Sequence, residues 1–149
     1  MSDSYQFSTG RVDVHRAWTS AEIKGTIEQI LEDFSDRLPK DPEARILIKP
    51  NLNNDLVALV GNCVDLRVMC SLVEGLLNRG LRNIAIADGS NVGIDKRDID
   101  TMRRLRVDKL AKRYGIEIIN LNRETGTHIA LHSGALPEVA NEVLHADFL

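Results

Sequence analysis

Cysteine is nearly missing from this chain. Only Cys63 and Cys70 occur in 149 residues, too few for a disulfide framework or for the thiolate set of an iron–sulfur cluster. A reducing, cytoplasmic setting follows as the default, with both thiols read as small buried hydrophobes rather than as ligands or nucleophiles. Aromatic residues are 4% of the chain, which leaves few platforms for stacking bases. Neither sign of charge dominates: 19 Lys and Arg face 22 Asp and Glu, so composition calls for neither nucleic acid nor an anionic membrane as partner. No apolar run approaches the roughly 20 residues of a membrane-spanning helix. The opening MSDSYQFSTGR lacks the apolar segment of a signal peptide. Neither G-x-G-x-x-G nor G-x-x-x-x-G-K-[ST] occurs, which argues against a dinucleotide fingerprint or a P-loop.

What is present is a repeating pattern of apolar strands that end in polar residues. Ile46-Leu47-Ile48 reads as a strand buried on both faces, followed at once by Lys49-Pro50-Asn51 and by Asn53-Asn54. Asn83 to Ala87 reads as a second such strand, ending in Asp88-Gly89-Ser90-Asn91, and Ile116 to Ile119 as a third, ending in Asn120-Leu-Asn122. Leu56 to Val60 is a further apolar segment, closed by the turn signal Gly61-Asn62.

Helix signals separate the strands. Thr19-Ser-Ala-Glu22 has capping-box spacing ahead of Ile23, Ile27, Ile30, Leu31 and Phe34, and predicts a helix ending near Leu38 before Pro39. Asp65 is placed to cap a helix with Val68, Met69, Leu72, Val73, Leu76 and Leu77 inward and Gly80 as its stop. Val107, Leu110, Ala111 and Tyr114 share a third helical face, stopped by Gly115. Val12 to His15 and His128 to His132 alternate and predict peripheral strands. The apolar finish EVLHADFL predicts a strand cut short or completed by another segment. The expectation is therefore one α/β domain over residues 1–149, three-layered around a mostly parallel, Rossmann-like sheet with peripheral strands at both termini. The chain is expected to be a fragment or the N-terminal part of a longer protein.

Parallel strands deliver their polar ends to one edge, where ligands sit in open α/β sheets. Lys49, Asn51, Asp88, Gly89 and Ser90 are therefore the candidate ligand-binding residues, with Asn120 expected to emerge beside Lys49 and Asp88. Lys49 suits an anion, or a base or Schiff-base role if buried. Asp88 suits orienting a hydroxyl, holding a hydrated metal or accepting a proton, and the Gly89-Ser90 amides suit a phosphate or carboxylate. Each of these residues also has a plain reading as a turn former. Arg103, Arg104 and Arg106 form the densest basic cluster, and Arg103 and Arg106 are the candidates to close over an anion, against the plain reading as a solvated face. His128 and His132 fall on the same side of their strand at roughly 13 Å, too far apart to share a metal. No His/Cys group has zinc spacing, and no metal site or catalytic triad can be assigned.

The run ILIKPNLN, then VDLRVMCSLVEGLLNRG, NIAIADGS, a basic segment, LAKRYGIEIINLN and HADFL resembles the domain-of-unknown-function 362 family over roughly Arg45 to Leu149. Lys49-Pro50-Asn51-Leu52, the Asp65-to-Gly80 helix and Asp88-Gly89-Ser90 are its most specific pieces. Lys49, Asn51, Asp65, Arg67, Asp88, Gly89 and Ser90 are matched positions whose roles the family leaves open. Many relatives are longer, continuing past Ala146-Asp147 into another apolar strand, and some carry a ferredoxin-like iron–sulfur module; without a cysteine cluster that function is not carried over. More distantly the chain resembles the nucleotide-like-cofactor-binding half of lactate racemase-type proteins. Where relatives often have Thr-Asp-Pro-Arg, this chain has Val64-Asp65-Leu66-Arg67, which removes that threonine.

These readings favour a cytoplasmic domain that binds an anionic small molecule or cofactor of unassigned identity, with no reaction implied. The alternative is a non-catalytic module that associates with another domain or with itself as a homo-oligomer. Nucleic acid and membrane are not expected partners.

Overall fold

The computed structural model describes residues 2–7, 10–56 and 61–149. Most of the predicted apolar segment before Gly61, residues 57–60, lies outside them. The order of elements is β1 (Ser2–Phe7), β2 (Gly10–His15), α1 (Ser20–Asp33), β3 (Ile46–Ile48), α2 (Leu66–Asn78), β4 (Ile84–Asp88), α3 (Val92–Asp95), α4 (Thr101–Arg104), α5 (Val107–Tyr114), β5 (Glu117–Asn120), β6 (Gly126–His128), β7 (Glu138–Ala140) and α6 (Asn141–Leu144). A 3₁₀ turn over Leu121–Arg123 follows β5.

Strands β3, β4 and β5 form a three-stranded parallel sheet in sequence order, with Ile48 beside Ile86 and Asp88 beside Asn120. The pleat sends Ile46, Ile48, Ile84 and Ile86 to one face, where they pack with Leu31 of α1, Met69, Val73 and Leu76 of α2, and Val107 and Leu110 of α5. The other face carries Leu47, Ala85, Ala87 and Ile119, covered by Leu121, Val143 and Ala146. Strands β3 and β4 are buried at every position, which explains why they read as unbroken apolar runs. The chain has α/β character with a parallel three-stranded sheet.

The helices begin where their caps predict. Thr19 and Glu22 make the reciprocal capping box, with Glu22 N donating to Thr19 Oγ1 at 3.2 Å and Thr19 N to Glu22 Oε2 at 2.9 Å. Asp65 caps α2 by accepting from Arg67 N, and Gly80 and Gly115 follow α2 and α5 at φ 87° and 66°, the left-handed geometry that only glycine adopts freely. Where α1 meets α2, Gly75 faces Leu31 so closely that a Cβ there would collide with Leu31 Cδ1.

Four details differ from the sequence reading. Helix α1 stops at Asp33 rather than near Leu38, because Ser35 and Arg37 donate to carbonyls three residues back and wind the chain into tight turns. Val12 to His15 pairs antiparallel with β1 as a separate ribbon instead of edging the main sheet, since the segment just before it supplies its backbone partners. The strand predicted over His128–His132 sits earlier, at β6, and pairs with β7. Gly134 at φ 80° turns the chain between them, leaving His132 outside the strand. The tail first makes the single turn α6, and Phe148 then forms a parallel bridge to Ile46, with Leu47 N donating to Phe148 O at 2.9 Å.

At the end of the sheet opposite the strand tips, Arg45 ties these parts together. Its guanidinium donates to Asn83 Oδ1 at 3.0 Å, Glu117 Oε2 at 2.7 Å and Glu142 Oε2 at 3.2 Å, while its amide donates to Asp147 Oδ2 at 2.7 Å. The carboxylates keep Arg45 charged by holding its pKa up against the opposing effect of burial.

Candidate functional site

Because the three strands are parallel, Lys49, Asp88 and Asn120 leave the sheet at the same edge. Asp88 is the buried member, 4% exposed, whereas the Lys49 side chain is 48% exposed. Asp88 Oδ1 accepts from Lys49 Nζ at 2.8 Å and Oδ2 accepts from the Leu52 amide at 2.5 Å. A buried carboxylate is tolerated when both oxygens meet donors, and here one donor is cationic. The consequence is mechanical: Asp88 folds the Pro50-to-Leu52 loop back over the tip of β4, and the Leu52 side chain sinks fully into the core beneath it. Lys49 is left with its ammonium fixed by one bond and its other donors available at the half-exposed surface.

The surrounding amides stitch the three strand-end loops together. Asn51 donates from Nδ2 to Asn62 O at 3.2 Å and accepts from Asn53 N at 3.2 Å, and its carbonyl accepts from Val64 N. Asn53 O accepts from both the backbone and side-chain nitrogens of Asn91, at 2.9 and 3.0 Å. Asn120 Oδ1 accepts from Asn122 N at 3.1 Å, and Asn122 Nδ2 donates to Ser90 O at 2.9 Å. Gly89 is required here by close approach rather than by its dihedral, since a Cβ would run into the Asn122 amide, with Asn122 Cγ 2.9 Å away. The turn-forming role of these residues and their clustering at one edge are therefore both realised.

Asp65 and Arg67 engage each other. Arg67 Nη2 lies 2.7 Å from Asp65 Oδ2 and Nε 3.1 Å from Oδ1, while Nη1 donates to Trp18 O at 2.8 Å. The guanidinium holds the Asp65 carboxyl below its ordinary pKa, and the carboxylate pushes Arg67 up.

The arginines line a hollow. Arg103, Arg104, Arg106 and Lys109, with Asp100 and Asp108, line an open depression of about 590 Å³. Among the described residues its walls include none of Lys49, Asn51, Asp88, Gly89 and Ser90. Arg103 and Arg106 thus share a hollow with Arg104 and Lys109. No glycine or proline in the sequence betrays the chain reversal at Arg106 that creates it.

Among the described residues no group of three His, Cys, Asp or Glu side chains could hold a metal ion, and no helix is long and apolar enough to cross a membrane. Cys63 is buried and donates to Asn54 O at 3.3 Å, and burial pushes the Cys70 thiol up, away from the thiolate.

No curated protein and no solved structure matches the chain. A family model does match, over residues 46–149, the stretch that begins at β3 and contains the Lys49–Asp88 pair, the α2 cap and every strand of the parallel sheet. On that match the chain belongs to the family described as Domain of unknown function (DUF362).

Proposed function

We propose that this domain binds an anionic small molecule or cofactor at the carboxyl edge of its sheet, with Lys49 as the charged contact and the Gly89-Ser90 segment beside it. The observation that carries the reading is the Lys49–Asp88 pair. A buried carboxylate that fixes a half-exposed ammonium at strand tips is a preorganised cation open to solvent. In this reading Asp88 positions Lys49 and the Leu52 loop and does not itself touch the ligand, and Asn51 shapes the loop.

The order of strands supports the same place. With Phe148 bridging Ile46 in parallel, the sequence across the sheet is Phe148, β3, β4, β5. We read this as the beginning of a doubly wound, Rossmann-like arrangement whose winding reverses beside β3. Ligands in such sheets sit in the crevice at that reversal, which is where Lys49 emerges.

The test is a thermal-shift series with inorganic phosphate, nucleotides and small carboxylates on the wild type, Lys49→Ala and Arg103→Ala/Arg106→Gly. A ligand at about a hundredfold its Kd adds about 2.7 kcal/mol, and at about 2–4 °C per kcal/mol such a shift is read directly. The proposal requires a hit that disappears in Lys49→Ala and persists in the arginine variant. A series in which no hit is lost in Lys49→Ala overturns it.

A further inference from the structure

We infer that the depression between α4 and α5 is a second, independent binding site for a small molecule carrying a diphosphate group, held by Arg103, Arg104, Arg106 and Lys109. The first support is charge. The chain as a whole is acidic, with a net charge of −3, yet this hollow gathers four cations against two carboxylates. Among the described residues none of the four is in an ion pair, although four other arginines and two lysines are. Arginines left to themselves in a protein rich in carboxylates are available to a ligand, and guanidinium forks match phosphoryl oxygens two bonds at a time.

The second support is how the hollow is made. Arg106 sits at φ 63° and ψ 22°, a left-handed conformation that a side-chain-bearing residue adopts at a cost. With Leu105 it separates α4 from α5, so Arg103 and Arg104 end one helix and Lys109 lies in the first turn of the next. A continuous helix would distribute these residues around its axis; the break leaves them around a common depression. Its volume, about 590 Å³, lies within the range of small-molecule sites.

The third support is the state of the two acids. Asp100 is occupied in capping α4, accepting from Arg103 N at 3.0 Å. Asp108 Oδ1 is buried with no hydrogen-bond partner, and a buried acceptor without a donor is costly. One oxygen of Asp108 is thus closed off from solvent and Asp100 is spent on its cap, so the four cations outnumber the acids at the open hollow. The paucity of aromatics offers a nucleic acid no stacking there.

The experiment is calorimetric titration of the full chain with inorganic pyrophosphate and with ADP, alongside a single-stranded oligonucleotide. It is run on the wild type, Lys49→Ala, Lys109→Ala and Arg103→Ala/Arg106→Gly. Glycine at 106 suits the left-handed backbone, so that variant removes two guanidiniums while preserving the turn. Expected is a saturable site that Lys49→Ala retains and that is weakened at least tenfold in the arginine variant and severalfold in Lys109→Ala. Failure of both phosphates to bind at millimolar concentration overturns the inference, as does undiminished affinity in the arginine variant. Loss of binding in Lys49→Ala moves the anion to the strand tips and equally overturns it. So does an oligonucleotide that binds more tightly than ADP with a steep dependence on salt.

Discussion

The Leu52 amide and the Asp88 carboxylate lie 36 residues apart in sequence and 2.5 Å apart in space. That bond converts a strand tip into an organised loop: Pro50 contributes no donor, and the Leu52 amide finds its acceptor on the neighbouring strand. Asp88→Ala removes the acceptor for both Leu52 and Lys49. Lys49, half exposed, recovers its hydration, so the cost is chiefly that of the buried amide left unmet, about 1–3 kcal/mol. Asp88→Asn offers one acceptor oxygen to two donors and falls between. Amide hydrogen exchange reads the effect directly: Leu52 should lose protection in both variants, and unaltered protection contradicts the role assigned to Asp88.

Gly75 and Leu31 set a second, purely steric expectation. Alanine at 75 gains helix propensity of about 1 kcal/mol, but its Cβ meets Leu31, itself 5% exposed, and overpacking of this kind costs about 1–3 kcal/mol. The clash is with a buried side chain that cannot swing into solvent, so the net effect is destabilising. Chemical denaturation should show a lower midpoint for Gly75→Ala with an unchanged slope. A midpoint at or above the wild type refutes the close packing of α1 on α2.

What the sequence discloses is whatever is local. Ile46-Leu47-Ile48, the Thr19 and Asp65 caps and the Gly80 and Gly115 stops each act within a few residues, and each appears where the pattern places it. The parallel sheet follows from alternation of strands and helices, so the convergence of Lys49, Asp88 and Asn120 on one edge is also legible. Long-range and conformational facts are not. Nothing in Asp88-Gly89-Ser90 announces the Leu52 amide as its partner, or in HADFL that Phe148 pairs with Ile46. The left-handed turn at Arg106 carries no glycine to mark it, so the hollow that the arginines line is not legible from their spacing.

Tyr114 donates to Glu74 Oε1 at 2.5 Å, and Glu74 also accepts from Lys24 Nζ at 2.9 Å, joining α5, α2 and α1. Burial, then the Glu74 bond, push the Tyr114 pKa up to about 12 from 10.0. The unfolded chain thus releases the phenolic proton at lower pH than the folded one, so the stabilisation is whole below pH 10 and fades as pH climbs to about 12. Glu74 is displaced downward, first by the Tyr114 bond and then by Lys24, so its contribution is present above its ordinary value of 4.5 and is lost as pH falls below it. Thermal melts from pH 9 to 12 should fall more steeply for the wild type than for Tyr114→Phe. Parallel curves would show that the tyrosine proton is not linked to folding.

Arg106 makes the sharpest prediction, because one substitution separates strain from charge. Left-handed backbone at a residue with a Cβ costs about 1–2 kcal/mol, and glycine removes that cost while loosening the unfolded chain by about 0.4–1 kcal/mol. Arg106 is also the N-cap of α5, with no side-chain hydrogen bond to lose there, and glycine is well accepted at that position. Arg106→Gly is therefore expected to match or exceed the wild-type melting temperature. Arg106→Val, β-branched at φ 63°, is expected to melt several degrees lower. A glycine variant that melts well below the wild type would mean that the arginine side chain stabilises the fold, and that the break between α4 and α5 is held by its contacts rather than by the backbone.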